Sequence, residues 1–155
     1  MNPFLESPDN RIKLWRSFRK SLTAEQNELN QLINVVEYFS KAPESSLTID
    51  VDNPKSWLTP WELLYQGDFC PNGIAYLMEQ TLLYAEGGSW TCDRVQLKLV
   101  NDYVYSVVKL IVIVDNKYAL NYEHNRVVEW AAVKDNCMIL NEYNFNPTSK
   151  LHSIK

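Results

Sequence analysis

Residues 95–122 read VQLKLVNDYVYSVVKLIVIVDNKYALNY, and the period of this stretch decides the class of fold. Val95, Leu97 and Leu99 alternate with Gln96 and Lys98, the two-residue repeat of a strand with one face buried and one in water. The run at residues 103–114, YVYSVVKLIVIV, is long, β-branched and too apolar for a sheet edge. Asp115, Asn116 and Lys117 supply a turn into YALNY, the partner strand of a hairpin. RVVEWAAV (residues 126–133) and CMILNEY (residues 137–143) read as further strands.

Upstream the period changes. In residues 7–22, Ile12, Trp15, Phe18 and Leu22 recur at near-helical spacing with cations between them. Thr23 and Gln26 have the spacing of a capping box for a second helix, whose apolar stripe is Leu29, Leu32, Ile33, Val36 and Phe39 and which Pro43 stops. Residues 44–57 are polar and proline-containing, a loop with a short extended piece around residues 47–51. Thr59, Pro60 and Glu62 start a short helix that Gly67 ends. Ile74, Leu77, Met78, Thr81 and Leu82 line one face of a longer helix expected to reach Gly87-Gly88. Helices followed by a meander predict an α+β fold, N-terminal helices packed on an antiparallel sheet, and not alternating βαβ units. The chain divides into a helical segment (residues 1–43), an α+β core (44–146) and a short polar tail (147–155).

At 155 residues with 46% hydrophobic and 22% charged side chains, the chain is an ordinary globular domain, able to bury roughly two-thirds of its unfolded surface. Four glycines and the absence of GxxxxGK[ST] or GxGxxG strings argue against a phosphate cradle. No apolar run is long enough to span a bilayer. Three cysteines without CxxC spacing fit reduced thiols in a cytoplasm; Cys92 and Cys137 read as structural. Asp50 and Asp52 form an isolated D-x-D ahead of Asn-Pro, a turn cluster rather than a metal site, and no cofactor is expected.

Cys70 is the residue with chemical content. Pro71 suits a first helical position, which places Cys70 at the N-cap. There the unpaired N–H groups and helix dipole favour a thiolate. A nucleophilic thiolate also needs a base within hydrogen-bond reach and a group to orient that base.

GDFCPNGIAYLMEQTLL (residues 67–83) followed by LIVIVDNKYALNYEHNRVV (residues 110–128) resembles the bacterial transglutaminase-like, papain-like cysteine peptidases. Their helix opens on a Gly-Asp-Cys stretch, and their hairpin carries a His at the start of one strand and an Asp-Asn pair near the end of the next. The resemblance places the nucleophile on Cys70, with Phe69 inserted after Asp68, and the family's Asp on Asn121. It places the His at residues 106–109, where this sequence has Ser, Val, Val and Lys. His124, three residues past Asn121, is the other imidazole that could reach Cys70; Lys109 is a weaker substitute base, and His152 lies in the tail. The aromatic-rich layout is also similar to small proteins of tailed bacteriophages. The resemblance implies a transglutaminase-like core that has lost its triad and acts by binding protein, as a phage assembly or virion accessory or a host-interaction protein in an infected cell. The alternative is an active cysteine peptidase, amidase or acyltransferase using Cys70 with His124, and Asn121, Asp135 or Asn136 as the orienting group.

The first twenty residues hold five cations against two carboxylates, so this end is +3 and, with the chain at −4, the remainder −7. Arg11, Lys13, Trp15, Arg16, Arg19 and Lys20 form a candidate surface for a protein partner; the acidic remainder argues against nucleic acid. Removal of residues 1–20 is then expected to leave the domain folded.

Overall fold

A computed structural model describes residues 2–45 and 48–144. Five helices, α1 (Pro8–Leu22), α2 (Glu28–Phe39), α3 (Pro60–Gln66), α4 (Pro71–Leu83) and the single turn α5 (Trp130–Val133), accompany five strands. These are β1 (Val95–Asp102), β2 (Val107–Val114), β3 (Tyr118–Leu120), β4 (Val127–Glu129) and β5 (Cys137–Tyr143), in one antiparallel sheet of order β4-β3-β2-β1-β5. The α+β architecture expected from the sequence is the one observed.

One face of the sheet receives the helices. Leu97, Leu99, Leu110, Val112 and Val114 join Trp15, Leu22, Leu32, Val36, Phe39, Ile74 and Leu77 in the main core. The alternate residues Val100, Ile111 and Ile113 face the other way, into a smaller cluster closed by Tyr122, Trp130 and Val133. This explains the apolar second half of β2: from Leu110 to Val114 the strand, which lies between β1 and β3, is buried on both faces.

α4 is buried all round, from Gly73 to Leu82, rather than on one face. It ends at Leu83, short of Gly87-Gly88, with Tyr84 as the C-cap, whose N–H still donates to the Gln80 carbonyl. The second helix starts later than Thr23 suggests. Thr23 closes α1 and its hydroxyl donates to the Glu86 carbonyl, while Asn27 is the N-cap, accepting the N–H of Asn30. The buried stripe of α2 is Gln31, Leu32, Val35, Val36 and Phe39, with Leu29 exposed.

Two strand readings are corrected. The run at residues 103–114 is not one strand. Asp102, fully buried, accepts the N–H groups of Val104 (2.8 Å) and Tyr105 (3.1 Å), forming an Asx-type turn from which β2 leaves at Val107. RVVEWAAV is a strand only to Glu129. Beyond it a helical turn sets Trp130 and Val133, spaced i and i+3, onto the second face of the sheet.

The basic first helix is part of the core. Trp15 is fully buried, and its indole N–H donates to Thr81 Oγ1 at 2.9 Å. Deleting residues 1–20 therefore removes core, contrary to the sequence expectation.

Candidate functional site around Cys70

α3 forms as its sequence dictates: Thr59 and Glu62 make a reciprocal capping box, Pro60 is the first helical residue, and Gly67 ends the helix at φ +76°. Arg11 seals that end. Its guanidinium donates to the carbonyls of Leu64 (2.7 Å), Tyr65 (2.7 Å) and Glu6 (2.8 Å). Phe69, the inserted residue, is fully buried edge-on against Phe4, and its carbonyl accepts the N–H of Ser45 at 2.7 Å. The chain enters α4 from this anchored residue.

Cys70 is the N-cap of α4, followed by Pro71, as expected. Its Sγ accepts the N–H of Gly73 at 3.3 Å, and the residue is 5% exposed. It borders a cavity of about 280 Å³ whose other walls include Asp50, Trp57, Leu58, Gln66, Asp68 and Tyr76. Tyr76 donates its hydroxyl to the Leu58 carbonyl, and burial pushes its phenol above the ordinary tyrosine range. All described residues lining the cavity come from the stretch between Thr48 and Tyr76; none comes from the sheet, and none is His or Lys.

The sheet meets α4 one step further along. Asn72 Oδ1 accepts the backbone N–H of Leu110 at 2.9 Å. Asn121, left-handed at φ +67°, donates Nδ2 to the carbonyls of both Pro71 and Leu110 at 3.0 Å. The Cys70 helix thus packs on the β2–β3 hairpin, the topology that the family resemblance requires.

The residues placed at the strand start are not a base facing the thiol. Ser106 is in the turn at φ +54°, and Val107 and Val108 are exposed. Lys109 points to the opposite face: its ammonium donates to the Tyr122 carbonyl and lies 4.6 Å from the centre of the Tyr122 ring. Burial lowers the Lys109 pKa, opposed by the Asp102 carboxylate. His124 is exposed in the turn between β3 and β4 and is not among the cavity-lining residues. His152 lies outside the described residues. Asp135 is exposed, and Asn136 adjoins the β1–β2 turn, its carbonyl accepting the N–H of Tyr103.

Of the six residues expected to form a partner surface, three are used inside the fold. Trp15 is core, Arg11 caps α3, and Arg19 is 7% exposed with its guanidinium 4.2 Å from the centre of the Trp15 ring. Lys13, Arg16 and Lys20 remain exposed. Asp50 accepts the N–H of Asp52 through Oδ1 and the Trp57 indole N–H through its carbonyl, the turn that D-x-D suggested. Among the described residues no group of three or more His, Cys, Asp and Glu side chains is placed to hold a metal ion. Sequence reading missed Asn72 and the wall around Trp57. An Asn two residues inside a helix carries no signal of a distant backbone partner.

No protein-family model matches the sequence, and no curated protein matches it. Among solved structures it is similar to Legionella pneumophila LapG. The calcium-bound form superposes with a TM-score of 0.69 at 15% identity, over 92% of this chain and 77% of that one. The EGTA-treated form gives 0.68 at 15% identity, over 96% and 82%. The fold is transglutaminase-like. At this identity the likeness speaks for the fold alone.

Proposed function

We propose that this chain is a transglutaminase-like domain that acts by binding another protein, with Cys70 serving as a helix cap and not as a nucleophile. The carrying observation is the surroundings of the thiol. Its cavity offers Asp50, Asp68 and Tyr76 but no imidazole or amine among the described residues, and the β2 residue hydrogen-bonded to the first turn of α4 is Leu110. A thiol without a base in reach is poorly activated for acyl transfer. Lys13, Arg16 and Lys20, spaced i, i+3 and i+7 on α1, form the exposed basic stripe left for an acidic partner. The setting is a reducing cytoplasm, that of an infected bacterial cell for a phage-encoded accessory protein; three cysteines with no disulfide between them support it.

The test is the alkylation rate of Cys70 against pH in folded protein carrying Cys92→Ser and Cys137→Ser, together with a screen of peptide and amide substrates. A slow thiol and no turnover are expected. Turnover that Cys70→Ala or His124→Ala abolishes overturns the reading in favour of a cysteine hydrolase or acyltransferase.

A further inference from the structure

The cavity beside Cys70 has a graded lining. Its inner wall is made by Trp57, Leu63, Cys70 and Tyr76, all of them buried, with the Trp57 and Tyr76 rings set edge to face at 5.4 Å. Both rings are fixed before any ligand arrives: the Trp57 indole N–H donates to the Asp50 carbonyl and the Tyr76 hydroxyl to that of Leu58. Asp50 and Asp68 also line the cavity, but they are exposed and so stand at its mouth. Among the described lining residues these two carboxylates carry the charge, with no Lys, Arg or His beside them. Neither is spent on an ion pair among the described residues. Asp50 gives Oδ1 to the N–H of Asp52 and keeps its second oxygen.

We infer that this cavity receives the free N-terminus of a partner polypeptide whose first residue carries a large apolar side chain. Size sets the first limit. At about 280 Å³ the cavity lies at the small end of the roughly 300–1,000 Å³ of small-molecule pockets, room for about one residue. Polarity sets the second. The inner wall calls for carbon, and two carboxylates without a counter-ion at the mouth call for a cation. A lysine or arginine entering head first carries its charge to the apolar wall and leaves its stem beside the carboxylates, the reverse of what the lining offers. An N-terminal residue bears both groups on one Cα, so its side chain goes inward while its α-ammonium stays at the mouth. The inference rests on the reading of this chain as a protein-binding domain and names what the partner presents at the cavity. The basic stripe of α1 is a separate contact.

Titration of the isotope-labelled full chain with leucyl-alanine amide, read by backbone and indole N–H shifts in NMR, tests it. Three related probes accompany it: the Nα-acetyl form, glycyl-alanine amide and Nα-acetyl-lysine amide. Leucyl-alanine amide is expected to shift Trp57, Leu63, Cys70 and Tyr76 with a Kd on the order of 1 mM. Acetylation removes the charge and should weaken binding about five- to tenfold. The glycyl peptide lacks the side chain and should bind about tenfold more weakly or worse. In the double variant Asp50→Asn, Asp68→Asn the free and acetylated leucyl peptides should bind alike. The comparison of probes on the wild type needs no variant, so a folding defect cannot decide it. No shift with leucyl-alanine amide, an acetylated form that binds as well, or a preference for the lysine probe overturns the inference. Each of these leaves the proposed protein binding standing. That reading falls instead if Cys70 cleaves the bound probe, an outcome that still supports the site.

Discussion

Asn121 donates its side-chain amide to the carbonyl of Pro71 at 3.0 Å and to that of Leu110 at the same distance, joining the start of α4 to β2 from the end of β3. The position that the family resemblance gives to a carboxylate is held here by a donor facing two acceptors. Asn121→Ala should cost about 1–3 kcal/mol in chemical denaturation, through the lost hydrogen bonds and the left-handed backbone that Asn tolerates and Ala does not. Asn121→Asp should fold best in acid, where a protonated carboxyl still donates, and lose stability as pH rises through the carboxyl's titration. A variant with a flat pH profile would contradict this.

Glu79 is 1% exposed in the middle of α4, with Gln80 donating to it at 3.0 Å. Burial pushes its carboxyl up to about 8, with the Gln80 hydrogen bond opposing. The folded value lies above the unfolded one, so the folded state binds the proton more tightly. Stability is full below about pH 4.5 and declines as pH rises towards 8. Glu79→Gln should abolish that slope, raising stability at alkaline pH by a few kcal/mol and changing little in acid. Unfolding midpoints from pH 4 to 9 are the measurement.

The cations of α1 divide into two kinds. Arg11→Ala strips three carbonyls at the end of α3 and before α1 of their donor and should cost about 2 kcal/mol. Lys13→Ala, on the exposed side, should stay within about 0.5 kcal/mol. Equal losses would mean that α1 is not anchored through Arg11.

Arg94 lies between the start of α2 and the β2–β3 turn, donating to Glu28 and Asp115 at 2.8 Å while its guanidinium sits 4.3 Å from the centre of the Trp90 ring. Its hydrogen bonds hold both carboxyls below their ordinary values. Their contribution is therefore present above the usual carboxylate range and lost as pH falls through the folded values. Arg94→Ala should cost about 1 kcal/mol at neutral pH and low salt, less at high ionic strength. Arg94→Lys should recover only part, because an ammonium cannot serve both carboxylates from one plane.

Local chemistry in the sequence carried most of the fold. The Thr59–Glu62 box, the Cys70-Pro71 entry to α4 and the central placement of β2 each follow from neighbouring residues and stand as expected. What misled was local chemistry serving a distant partner. Thr23 looks like a cap for the helix after it, but its hydroxyl is committed to Glu86. Arg19 and Trp15 look like a docking face, yet they are stacked inside the core. The site shows the same limit: Cys70 was legible as a cap, but that Lys109 turns away from the helix depends on strand phase, fixed only once β2 begins at Val107.

The Trp15–Thr81 hydrogen bond spans 66 residues, that of Trp90 with Gln31 spans 59, and that of Tyr143 with the Val51 carbonyl spans 92. During synthesis, then, α1 and α2 leave the ribosome before the residues that cover their apolar faces have been made. At roughly 5–20 residues per second, α4 and the hairpin follow a few to some fifteen seconds later. The core is therefore complete only once β5, whose Tyr143 reaches back to Val51, has been made.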